Sequence, residues 1–269
     1  MPLHCKNGTV RIGDDTMHYI RFGSGSKTLI MLPGLGDGIT TVKGKALPMA
    51  LMYRCFARDY TVYMFSRRNH LPEGCSTRDM ASDLKAAMDA LAIRAADLVG
   101  VSMGGMIAQH VAADDPERIR KLVLVVTCAR ANPMLTESVG EWIDLARRGD
   151  HTAFMDSNVR RMYSDAYYRK NRWLIPVMGR LTKPKSYDRF FIQANACLTH
   201  DASSRLAAIS APALVIGGAQ DRALGADGSY ELAASIPYAQ LRMYDEWGHG
   251  LYEEAKDFNH AVLAFLQSK

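Results

Sequence analysis

Apolar and polar positions alternate between two rhythms along the chain. Two short runs, residues 8–13 (GTVRIG) and 17–23 (MHYIRFG), flank a turn at Asp14-Asp15 and predict a β-hairpin. The run ending at Leu32 (KTLIML) is followed at once by Pro-Gly-Leu-Gly-Asp-Gly, which predicts a buried strand entering a loop of unusual backbone angles. A further buried strand is predicted at 60–65, and strands at 96–101, 119–126, 213–218 and 240–245. Between them the apolar spacing lengthens to that of helices. In residues 76–93, Met80, Leu84, Met88 and Leu91 recur on one face, with Ser76 and Asp79 spaced as a capping box. Residues 103–115, 228–236 and 254–267 also predict helices.

Alternating strands and helices predict an α/β fold with a parallel sheet covered on both faces, and continuous apolar strands fit burial on both sides. The alternation lapses over 130–205, where only helical segments are read (137–149, 152–163, 186–198). The expected organisation is a core of residues 1–129 and 206–269 carrying a helical insertion, or cap, at 130–205.

The 269 residues are 48% hydrophobic and 23% charged, an ordinary globular balance, with a net charge of +5. That charge is too modest for a nucleic-acid binder. Its excess lies in the insertion, where 13 Lys and Arg face 8 Asp and Glu. Two readings stand: attraction of an anionic substrate, or a solvated helical surface. Five cysteines, an odd number without a C-x-x-C pair, read as free thiols of a reducing compartment. The N-terminus has no apolar signal segment, and no apolar run approaches the ~20 residues of a membrane span. A cytoplasmic protein without a membrane or nucleic-acid partner, monomeric or homodimeric, is expected.

The chemistry centres on Gly100-Val101-Ser102-Met103-Gly104, a G-x-S-x-G between a predicted strand and a predicted helix. A serine on so sharp a turn exposes its hydroxyl above the sheet, and small neighbours let strand and helix approach. A plain glycine-rich turn is the competing reading of the pentapeptide alone. Serine needs a base. Of eight histidines, His249 lies just past the last predicted strand between Gly248 and Gly250. The base needs an orienting acid. Asp221 follows the strand 213–218 directly; Asp227 and Asp245 are weaker candidates, and the loop after 119–126 offers no acid. The order Ser, Asp, His is that of α/β-hydrolases. Backbone N–H groups of Met103 and of Leu35, in the glycine loop, are the candidate oxyanion donors. A phosphate-binding role for that loop is disfavoured, because no G-K-[ST] follows. Trp247 and, in the insertion, Trp142 are candidate substrate contacts.

The stretches GVSMGGMIAQHVAADDPERIRKLVLVVTCAR and APALVIGGAQD through EWGHG to the C-terminal helix are similar to the α/β-hydrolase superfamily, in its 3-oxoadipate enol-lactonase and carboxylesterase branch. The resemblance covers residues 9–128 and 206–268. It implies an eight-stranded, mostly parallel sheet with a helical cap between strands six and seven, and a mechanism without cofactor or metal. It also implies Ser102 as nucleophile, His249 as base and Asp221 as acid. Pro33-Gly34 stands where the family usually has histidine–glycine, and SRRNHLPEG (66–74) where it commonly reads D-x-R-G-x-G. A serine hydrolase of a small carboxylic ester or lactone is expected. The alternatives are a C–C bond hydrolase or a cofactor-free perhydrolase or haloperoxidase on the same triad, and a non-catalytic ligand-binding protein.

Overall fold

The computed structural model describes residues 3–268. Eight strands form one sheet: β1 (Lys6–Ile12), β2 (Asp15–Phe22), β3 (Lys27–Leu32), β4 (Tyr60–Arg68), β5 (Ala96–Val101), β6 (Ile119–Val125), β7 (Ala213–Gly218) and β8 (Ala239–Tyr244). Their order is β1-β2-β4-β3-β5-β6-β7-β8. β2 runs antiparallel to β1 and β4, and every later pairing is parallel. The predicted α/β class and eight-stranded, mostly parallel sheet are therefore present.

Alternation along the central strands sorts the core into two layers. Ile30, Leu32, Leu98 and Leu124 pack on one face with α2 (Thr77–Ala90) and α3 (Met103–Asp114). Leu29, Met31, Val99 and Val123 pack on the other with α1 (Ala46–Met52) and the C-terminal helix. The capping box of α2 forms as predicted: Ser76 Oγ accepts from Asp79 N, and the Asp79 carboxylate accepts from Ser76 N at 2.9 Å. Helix α1 has no counterpart in the sequence reading, because seven nearly all apolar residues leave no amphipathic period to detect.

The five helices between β6 and β7 are α4 (Pro133–Arg147), α5 (His151–Met162), α6 (Asp165–Asn171), α7 (Ile175–Leu181) and α8 (Asp188–Leu198). The chain then passes through α9 (Asp227–Ser235), the short α10 (Leu251–Glu254) and α11 (Phe258–Gln267). The predicted C-terminal helix is thus split, with α11 starting at Phe258. Among the described residues no helix is long and apolar enough to cross a membrane. All five cysteines are free, and Cys75, Cys128 and Cys197 are buried. Burial pushes the Cys197 thiol up to about 12, so it stays protonated and inert at neutral pH.

Neighbouring β3 and β5 carry the chain outward to opposite sides of the sheet, so their carboxyl ends flank a topological switch point. Crevices of this kind are where open α/β sheets bind ligands.

A buried polar cluster ties the insertion to the core. Thr77 Oγ1 lies 2.9 Å from His200 Nδ1 and 3.2 Å from His110 Nε2. Burial lowers both imidazole pKa values, that of His200 to about 3, with the neighbouring His110 adding to the effect. The fold therefore keeps these rings neutral, whereas the unfolded chain takes up protons below pH ~6.5. Stability is retained above that pH and lost as pH falls from 6.5 toward 3. Between pH 7.5 and pH 5 the His200 contribution is about 2 kcal/mol. Denaturant titrations should show the wild type losing that much more than His200→Gln over the same interval.

Candidate active site

β5 ends at Val101 and α3 begins at Met103, so the chain reverses at Ser102, whose φ of 53° and ψ of −121° lie in a strained region for a non-glycine residue. The surroundings hold it there. Ser102 N donates to Val125 O at 2.8 Å, and Thr127 Oγ1 donates to Ser102 O at 2.8 Å. Close packing explains the flanking glycines: a methyl on Gly100 would lie 2.5 Å from Gly104 O, and one on Gly104 would lie 2.2 Å from Leu32 O. Met103 is the first residue of α3, so its N–H is among those a helix leaves without an internal partner.

The loop after β3 lies over this turn. A methyl on Gly34 would sit 3.3 Å from Ser102 Cβ and 3.7 Å from its Oγ. Leu35 opens a 3₁₀ turn, Leu35–Gly38, which leaves its N–H similarly without a turn partner. A buried ionic cluster holds this loop. Arg67 Nη2 donates to Pro33 O at 2.6 Å. Asp37 Oδ2 accepts from Arg67 N at 3.0 Å, from Arg189 Nη2 at 2.8 Å and from Gln193 Nε2 at 3.4 Å. Burial lowers the Arg67 pKa, and the Asp37 carboxylate opposes the shift. The sequence reading noticed SRRN as a departure but had no means of pairing Arg67 with Asp37, thirty positions away.

Asp221 follows β7, with its N–H on Gly218 O. Its Oδ1 accepts from Ala223 N at 2.8 Å and Leu224 N at 2.9 Å, and its Oδ2 lies 2.8 Å from His249 Nδ1. Both side chains are buried. An ionised carboxylate only accepts, so the bond puts the His249 proton on Nδ1 and leaves Nε2 free as the basic nitrogen. Asp227 and Asp245, the weaker candidates, are exposed at the start of α9 and just past β8.

The His249 loop is fastened to the insertion. Gly250 N donates to Met162 O at 2.6 Å, and Ser164 Oγ donates to Glu254 Oε1 at 2.6 Å. Tyr163 OH donates to Glu253 Oε2 at 2.7 Å. On the opposite side, Gly38 backs onto Phe190 of α8, whose Cα a methyl there would approach to 2.7 Å.

Ser102 and His249 line the same cavity, of about 400 Å³. Gly34 and Leu35 border it, and Met31, Phe56, Met64, Val99, Phe258 and Val262 carry it into the layer between the sheet and helices α1 and α11. Lys45 is its one Lys or Arg, and Asp37 and Glu253 are its acids. Trp142 lines it, its Nε1 donating to Ser157 Oγ at 3.2 Å. Trp247 does not. The chain turns at Gly248, and Trp247 is half-buried against the α11-side core, so the expected substrate contact is corrected. Among the described residues, no group of three or more His, Cys, Asp or Glu gathers into a metal-binding cluster.

The family described as alpha/beta hydrolase fold matches residues 27–256. The chain is 29% identical over 268 residues to the 2-hydroxy-6-oxononadienedioate/2-hydroxy-6-oxononatrienedioate hydrolase 2 of Pseudomonas putida, covering 94% of this chain and 92% of that protein. In structure it is similar to MGS-M2, an alpha/beta hydrolase enzyme from a Medee basin deep-sea metagenome library, with a TM-score of 0.84 at 22% identity, covering 97% and 98% of the two chains. The enol-lactonase from Burkholderia xenovorans LB400 gives a TM-score of 0.82 at 23% identity, covering 97% and 100%. Strand order, sequence and relatives agree, and the chain belongs to the α/β-hydrolase fold family as a hydrolase enzyme.

Proposed function

We propose that this hydrolase cleaves a small carboxylic ester or lactone through Ser102, His249 and Asp221. The observation that carries the reading is the 2.8 Å contact between His249 Nδ1 and Asp221 Oδ2, with the acid's other oxygen held by two backbone N–H groups, at a cavity that Ser102 also lines. In the first step His249 Nε2 takes the Ser102 hydroxyl proton while Oγ bonds to the substrate carbonyl carbon. The N–H groups of Leu35 and Met103 bind the oxyanion. The tetrahedral species collapses, the ester C–O bond breaks, and the alkoxide leaves with the proton from His249. Water, deprotonated by the same nitrogen, then releases the acid and restores Ser102.

A second reading comes from the Pseudomonas putida relative, whose named substrates are dioates. Cleavage of a C–C bond on the same three residues is the corresponding chemistry. The cavity lining favours the ester. Lys45 is the one Lys or Arg of the lining, Asp37 is paired with Arg189 and Glu253 accepts from Tyr163, so an otherwise largely apolar wall offers little to balance two substrate carboxylates. The six exposed cations from α6 up to α8 lie outside the lining, and the insertion's Arg189, which reaches Asp37 of the lining, is bound to it.

A panel of p-nitrophenyl esters, lactones and vinylogous diketone dioates tests the choice. Neutral esters or lactones should exceed the dioates in kcat/KM by about 10²-fold, the scale of one buried, poorly compensated charge. A preference for the dioate would overturn the ester reading and install the C–C reading.

A further inference from the structure

The outer side of the insertion carries a surface that hydrolysis leaves unused. From residue 166 to residue 187 the chain has six Lys and Arg (Arg169, Lys170, Arg172, Arg180, Lys183 and Lys185) and no Asp or Glu. All six are exposed, and among the described residues none forms an ion pair with a carboxylate. Other arginines of the insertion are paired: Arg160 with Asp156, and Arg161 with Glu137 and Glu141. The acids bordering the segment are mostly committed elsewhere. Asp165 pairs with Arg222, Asp156 also accepts from Tyr168 OH, and Asp150 caps α5 at Ala153 N.

The same segment exposes large apolar side chains: Trp173 at 69%, Val177 at 51%, Met178 at 41% and Leu181 at 76%. Helix α7 turns Ile175 and Gly179 inward, and a methyl on Gly179 would lie 2.9 Å from Thr152 Cα of α5. Val177 and Leu181 therefore occupy the side away from α5, with Trp173 one turn before them. Four exposed apolar side chains on a segment that carries six cations without a carboxylate partner are not an ordinary solvated face.

We propose that this face docks on the anionic surface of a lipid bilayer. Trp173, Val177 and Leu181 enter the headgroup–acyl boundary, where indole rings and leucines of interfacial helices reside. The six cations meet the phosphates, each worth about fivefold in partition. This contact is peripheral and needs no spanning helix. A second copy of the chain is the weaker occupant, because two-fold apposition would bring two such cation clusters together without counter-charge. The docking does not depend on the hydrolytic reading, since Ser102→Ala leaves this surface untouched.

Co-sedimentation of the full chain with vesicles of phosphatidylcholine alone, and of phosphatidylcholine with about one-third phosphatidylglycerol, tests it. Binding is expected to the anionic vesicles only, with release when NaCl rises from about 0.05 to about 0.5 M. Tryptophan emission should shift to the blue on binding. Trp142 is already buried and Trp247 half-buried, so the shift reports Trp173. Arg180→Glu/Lys183→Glu/Lys185→Glu should weaken partition about 100-fold or more, and Trp173→Ser/Leu181→Ser about 10-fold. An unchanged thermal midpoint checks that each variant folds. Absent binding at low salt, equal binding to neutral vesicles, or insensitivity to salt overturns the proposal. So does a concentration-dependent dimer in sedimentation velocity that dissociates in Trp173→Ser/Leu181→Ser, which would place a second copy on this face.

Discussion

Ser102→Ala is expected to lower kcat on any ester the wild type turns over by about 10⁴- to 10⁶-fold, and to abolish covalent labelling by a fluorophosphonate. The substitution removes one oxygen and keeps the backbone, so its effect isolates the proposed nucleophile. Asp221→Asn is the sharper companion. The backbone N–H groups of Ala223 and Leu224 both point at Oδ1, so an asparagine must keep its carbonyl oxygen there. Its NH₂ then faces His249 Nδ1 and donates to it, which drives the ring proton to Nε2. The ring can no longer accept the serine proton, and a loss of about 10⁴-fold in kcat is expected with KM little changed. Mass spectrometry after fluorophosphonate treatment and steady-state kinetics provide the check. A wild type that stays unlabelled while folded would point to the non-catalytic ligand-binding reading.

Asp37→Ala is expected to cost about 3–5 kcal/mol of stability, because it removes a buried carboxylate that pairs with Arg189 and offsets the charge of buried Arg67. The cluster joins three parts of the chain: Asp37 in the loop after β3, Arg67 at the end of β4 and Arg189 in α8. Arg67 already has Nε and Nη1 buried without partners, so it has little left to fall back on. The double variant Asp37→Ala/Arg67→Met removes charge and counter-charge together and should cost clearly less than the two single changes summed. Urea titrations of the four proteins measure this coupling. A kcat loss in Asp37→Ala larger than any change in KM would place the effect on the loop that carries Leu35, since Arg67 also holds Pro33 O.

Sequence reasoning reads the sheet well because its central strands are buried on both faces and announce themselves as continuous apolar runs, Leu29–Leu32 and Leu122–Val125 among them. Ser102 and the pairing of His249 with Asp221 were legible because local chemistry marks them: glycines that strand–helix contact requires, and an acid placed directly after a strand. The rest depends on contacts between distant segments. Asp37, Arg67, Arg189 and Gln193 look like ordinary surface residues until the fold gathers them. Trp247 was placed by its nearness to His249 in sequence, but the turn at Gly248 separates neighbours in the chain into different environments. Short α6 and α7 escaped notice because each makes fewer than three turns and α7 keeps apolar residues on its outer side.

The insertion grips both loops of the site: Met162, Tyr163 and Ser164 hold the segment bearing His249, while Arg189 and Phe190 hold the segment bearing Leu35. Any outward swing that widens the entrance must unfasten one grip or both. A guest that required such a swing would have to disturb the loop bearing His249, the loop bearing Leu35, or both.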